Sequence, residues 1–156
     1  MLVPVGMLGG GFPEGELKTG IALGADVVAV DAGSTDSGPH YLGASTPKTA
    51  RAAVLRDMRL ILTHARAAGI PVLVGSCGTS GTDDGVDWLC EICRQVSDEE
   101  GLPLRIARIY SEQDKQALLR GITDGRTIAL PPAVPLTAAM VDRCEHIVGL
   151  MGHEPL

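Results

Sequence analysis

The chain has 156 residues, 45% of them hydrophobic and 21% charged, with 20 glycines, 10 prolines and four aromatic rings, Phe12, Tyr41, Trp88 and Tyr110. That length closes one core and that apolar content excludes a disordered chain, while no apolar run approaches the roughly 20 residues that span a bilayer. A formal charge of -6 excludes the basic footprint of a nucleic-acid surface. The opening MLVPVGMLGGG lacks the basic region and small-residue cleavage site of a secretory signal. A cytoplasmic chain is therefore expected, with Cys77, Cys90, Cys93 and Cys144 as thiols.

In chain order, apolar runs at Leu2–Val5, Asp26–Val30, Ile70–Val74, Leu104–Ile109, Thr127–Leu130 and Ile147–Leu150 predict strands. Most lack the polar alternation of a half-exposed sheet, the pattern of strands covered on both faces. Between them the periodicity predicts helices over about 14–24, 47–68, 84–100, 112–123 and 137–144. The long second helix places Ala50, Val54, Ile61, Leu62 and Ala65 near one face and leaves Arg51, Arg56, Arg59 and Arg66 for solvent. His64 reads as a surface or boundary residue. Strict alternation of strand and helix predicts one α/β domain over residues 1–156, a Rossmann-like three-layer fold with a mostly parallel sheet of about five or six strands.

In such a sheet the strands that feed helices end at one edge, where ligands bind. The glycines gather in three segments leaving that edge, GMLGGGFPEG (6–15), DAGSTDSGPHYLGAS (31–45) and GSCGTSGTDDG (75–85). Asp31 closes a strand, Gly33 allows a sharp turn, and Ser34, Thr35, Asp36 and Ser37 set hydroxyls and carboxylates beside backbone N–H groups. Asp31, Asp36, His40 and Tyr41 are the candidate proton-moving groups, a strand-end carboxylate being well placed to move a proton or orient a substrate. An Asx/ST turn that satisfies only its own backbone is the alternative. In the third segment Ser76, Cys77, Gly78, Thr79 and Ser80 precede a helix capped by Thr82 or Asp83, a cradle for a carboxylate or phosphate. No lysine follows these glycines, so the segment is not a Walker sequence. Gly10, Gly33, Ser34, Thr35 and Glu112 complete the candidate substrate-binding set.

Cys77 is either a nucleophile or a small buried thiol. Cys90 and Cys93 form a CxxC inside an amphipathic helix without further ligands at matching spacing, and they and Cys144 read as packing thiols. Ser111 reads as an N-cap with Asp114 three positions on. Glu112 and Asp114 also reach toward the common edge, and His153 and Glu154 are nearly terminal. No metal-ligand set and no cofactor is assigned.

The segments GMLGGGFPEG, ADVVAVDAGSTDSGPHYLG, IPVLVGSCGTSG, IARIYSEQDK and HIVGLMGHEPL, in this order, resemble the N-terminal part of the AtuA-like (acyclic terpene utilisation) family. The resemblance implies a Rossmann-like fold and a setting of carboxylic-acid and acyl-CoA catabolism, without naming a reaction. Members of that family continue past MGHEP, whereas this sequence stops at Leu156. The likeness therefore implies a second polypeptide or an oligomer that completes the pattern. DAGST is also similar to the first phosphate loop of the sugar kinase, actin and heat-shock ATPase superfamily, but here helices lie on both sides of it. Three functions follow in order of expectation. The first is a lyase- or isomerase-like subunit handling a small hydroxy- or oxo-carboxylate or acyl substrate by proton chemistry. The second is a non-catalytic binding or scaffold subunit completed by another chain, and the third a phosphotransfer enzyme.

Overall fold

The computed structural model describes residues 1–33, 37, 39–150, 152, 154 and 155. The elements run α1 (Glu14–Ala22), β1 (Val28–Asp31), α2 (Pro39–Gly43), α3 (Arg51–Ala68), β2 (Val72–Gly75), α4 (Asp83–Glu100), α5 (Lys115–Thr123) and α6 (Ala138–Arg143). β1 and β2 pair in parallel, with Val28 opposite Val72 and Asp31 opposite Gly75. Leu2 adds a single bridge on the far side of β1, donating to Val27 O and accepting from Ala29 N, each at 2.9 Å.

The two long helices owe their ends to local chemistry. α3 stops where Gly69 turns left-handed (φ 71°) and returns its N–H to Ala65 O and Arg66 O. α4 opens on Thr82, whose side chain accepts from Gly85 N, and closes on Gly101 (φ 62°). Along α3 the buried set is Val54, Asp57, Met58, Ile61, Leu62 and Ala65, one face at helical spacing. Ala50, expected on that face, is instead the exposed N-cap. The face packs against Leu89, Ile92, Cys93 and Val96 of α4, Leu17 of α1 and Val28 and Val30 of β1. Nearly all of the core thus comes from residues 2–104; beyond it, among the described residues, Val141 is the buried hydrophobic residue.

The three-layer Rossmann-like fold with five or six strands is corrected by this architecture: the described residues hold six helices and one two-stranded parallel sheet. A strand needs a partner backbone about 4.8 Å away, and an apolar run carries no information about whether that partner exists. Residues 104–109 face β2 across a groove and make no ladder with it. Ile128 and Leu130 are 87% and 83% exposed, so the fifth predicted strand covers nothing. Residues 147–150 make one antiparallel bridge, Glu112 to Val148, rather than a parallel strand. Two helix starts also differ from expectation. α3 begins at Arg51, and α5 is capped by Asp114, which accepts from Ala117 N at 2.7 Å, while Ser111 Oγ turns away to donate to Gly81 O. No helix among the described residues is long and apolar enough to cross a membrane.

Candidate functional site at the carboxyl ends of the two strands

The carboxyl ends of β1 and β2 carry the glycine-rich segments. The first is tied down by a residue that composition alone hides. Asp57, fully buried on α3, accepts from Gly9 N at 2.7 Å and Gly11 N at 3.1 Å through one oxygen, and from Arg56 Nε at 2.8 Å through the other. Gly10 is exposed and donates to Met7 O. Leu8 N donates to Asp31 O, which joins this segment to the end of β1.

Asp31 is exposed, and its Oδ1 accepts from Gly33 N at 3.0 Å, an Asx-type turn. Gly33 is buried against the backbone of Thr79 so closely that a methyl group has no room. Ser34, Thr35 and Asp36 lie outside the described residues. His40 and Tyr41 sit on the short α2, their rings edge to face at 5.2 Å, with His40 exposed. Among the described residues no hydrogen bond or ion pair links them to Asp31 or Glu112.

The third segment coils through left-handed conformations at Ser76 (φ 49°), Gly78 (φ 64°), Thr79 (φ 86°) and Gly81 (φ 72°). Positive φ at a β-branched threonine is costly and persists only where neighbours hold it. Thr79 is held by burial and by Lys48 N, which donates to its Oγ1 at 2.8 Å. Lys48 also sends its ammonium to Ser37 Oγ at 2.9 Å. Ser45 Oγ and Thr82 Oγ1 share a hydrogen bond of 2.7 Å. Gly78 meets Gly85 backbone to backbone, so loop and helix approach as only paired glycines allow. Ser80 is buried and its hydroxyl has no partner among the described residues.

The N-terminus of α4 is already occupied by the chain itself. Thr82 takes Gly85 N through its side chain and Val86 N through its carbonyl, and Glu112 Oε1 takes Asp83 N at 3.1 Å. The same Glu112 oxygen lies 2.9 Å from His146 Nδ1, with both side chains half-buried. This carboxylate–imidazole pair leaves His146 Nε2 without a partner among the described residues, the arrangement of a base held by an orienting carboxylate. Sequence reasoning reached Glu112 and missed His146, because a contact across 34 residues leaves no mark in local spacing. Asp57 was also missed, although a carboxylate at helical spacing between Val54 and Ile61 is a visible irregularity in an apolar stripe.

The thiols of Cys77, Cys90 and Cys93 are held in their protonated form by burial. Burial, reinforced by Cys90, pushes Cys77 up to about 11, and burial pushes Cys93 up to about 12. Burial raises Cys90 as well, offset in part by Arg94 and Arg108. A thiol so disposed is a poor nucleophile and a poor metal ligand. Among the described residues no group of three or more His, Cys, Asp or Glu is placed to hold a metal ion.

Beside the loop runs a groove of about 1080 Å³ between β2 and residues 103–109, with Ser76, Cys77, Ser80 and Ser111 in its lining. No family model, curated protein or solved structure matches the chain, which leaves the likeness to the AtuA-like family resting on the quoted segments.

Proposed function

We propose that the chain moves protons on a small hydroxy- or oxo-carboxylate or acyl substrate, by hydration, dehydration or isomerisation, at the carboxyl ends of β1 and β2. The Glu112–His146 pair carries this reading. Neutral His146 donates Nδ1–H to Glu112 and keeps its Nε2 lone pair to take a proton from the carbon beside the substrate carbonyl. The imidazolium so formed is stabilised by Glu112. It returns the proton to a neighbouring carbon in an isomerisation, or to a departing hydroxyl as water in a dehydration. The Lys48 ammonium beside Ser37 supports binding of a carboxylate here. Asp31, with one oxygen already taken by Gly33 N, is assigned to positioning the second loop.

The test is proton exchange in heavy water, followed by NMR over a panel of short hydroxy- and oxo-carboxylates and their thioesters. Wild type should incorporate deuterium beside the carbonyl, and His146→Gln should lose on the order of 100-fold or more of that rate. Undiminished exchange in a folded His146→Gln, or no exchange by wild type across the panel, overturns the reading. A binding or scaffold subunit completed by another chain is the second reading. It is favoured by Ile128, Leu130 and Val134, exposed at 87%, 83% and 69%. Light scattering that finds a monomer capable of exchange removes it.

A further inference from the structure

The groove beside β2 has a volume of about 1080 Å³, at the upper end of what small-molecule sites enclose. Its walls are apolar, with Leu62 of α3, Val74 of β2, Leu89 and Cys93 of α4, and Ile106 across the gap. Among the described residues that line it the charged ones are Arg66, Arg105 and Arg108, with no Asp or Glu, in a chain whose formal charge is -6. Arg108 is engaged by Asp87 at 2.7 Å. Arg66 and Arg105 have no carboxylate partner among the described residues. Arg66 Nε donates to Pro103 O at 3.1 Å, which fastens the last turn of α3 to the segment carrying Arg105.

Apolar walls favour hydrocarbon, and guanidinium groups without carboxylate partners favour a carboxylate head, which they can grip with two parallel hydrogen bonds. We infer that this groove is a binding site for a free single-chain amphiphile with an anionic head, a medium-chain alkyl carboxylate. Its chain lies between β2 and residues 103–109, and its head meets Arg66 and Arg105. The site goes beyond the proton-transfer reading, since Arg66 lies where α3 hands over to β2, the opposite end of that strand from Glu112 and His146. Failure of one leaves the other standing.

Calorimetry on the full chain with decanoate, decanol and decyltrimethylammonium, each below its micelle concentration, tests it. Decanoate should bind at least tenfold more tightly than the cationic amphiphile and should weaken with added salt. Arg105→Glu should cost decanoate tenfold or more while leaving decanol unchanged. Ile106 is 42% exposed, so Ile106→Ser is a mild change for the fold and should weaken both ligands several-fold. Equal affinity for the cationic amphiphile, or unchanged decanoate affinity in Arg105→Glu, overturns the assignment. So does sedimentation with anionic vesicles that depends on Arg105 while free decanoate fails to bind, because the partner is then a membrane surface.

Discussion

Asp57 shows how much one side chain fixes. Its carboxylate serves two glycine amides of the first loop from 48 and 46 residues away, and its second oxygen takes the guanidinium of Arg56. Removing it strands Gly9 N and Gly11 N, whereas Arg56, at 55% exposure, returns to water. Asp57→Ala should therefore cost about 3 kcal/mol, and Asp57→Asn, which keeps one acceptor, clearly less. Urea unfolding midpoints of the three proteins measure this, and a loss below ~1 kcal/mol for the alanine variant would show that the loop closes without Asp57. At this scale the sequence was legible in part. The interruption of the α3 stripe is visible between Val54 and Ile61, but which amides the carboxylate meets depends on where the first loop folds back. The glycines divide in the same way. Their concentration at strand ends is written in the sequence, whereas the burial of Gly33 on Thr79 and of Gly78 on Gly85 is a property of two segments meeting.

At the scale of elements, α4 is seated by its apolar face and by thiols. Cys90 and Cys93 are buried on that helix, and Cys77 lies in the loop leading to it. Burial raises Cys77 from 9.0 to about 11, so between those values the folded chain keeps a proton that the unfolded chain gives up. Stability is thus fully present below about pH 9 and falls as pH rises through the raised values, the reverse of the usual carboxylate case. By pH 10.5 the loss from Cys77 should be roughly 2 kcal/mol, at about 1.4 kcal/mol per unit. Urea midpoints at pH 8 and 10.5 measure it, and Cys77→Ala should flatten the slope. An equal slope in that variant assigns the alkaline loss elsewhere. The helices were largely readable because 3.6-residue periodicity and caps are local signals, and α4 is found almost where it was expected. Two of the strands were readable too, Asp26–Val30 and Ile70–Val74 being found as β1 and β2 within two residues, but the sheet was not, since Leu104–Ile109 and Thr127–Leu130 have strand composition without a hydrogen-bonding neighbour. For the same reason His146, paired with Glu112 across the chain, had no local signature.

Over the whole molecule, burial and charge are both unevenly distributed. The core joins α1, β1, α3 and α4, while residues from 102 onward add little beyond Val141, which is fully buried, and Leu102 and Leu104 at its edge. Stability should be graded in the same way, highest where apolar contacts and backbone hydrogen bonds coincide and lowest where both are absent. Between α5 and α6, the amides of Ile128, Ala129 and Leu130 have no protein acceptor among the described residues. The side chain of the adjoining Arg126 is 68% exposed and pairs with Asp124 at 2.8 Å, while its amide and that of Thr127 donate to Gly121 O. Limited trypsin digestion should therefore cut first at Arg105, Arg108 or Arg126, which lie in or beside segments whose amides have no protein acceptor among the described residues. Arg56, Arg59 and Arg66 should survive longer, because cutting α3 requires opening the core around Met58 and Ile61. Hydrogen exchange should follow the same gradient, with Val28–Val30 and the centre of α3 slowest and residues 128–130 exchanged within the dead time. A first cut inside α3, or protection at 128–130 comparable to β1, would mean that the later apolar segments are covered in solution by another chain. That outcome would favour the partner-completed subunit over a chain that performs its chemistry alone.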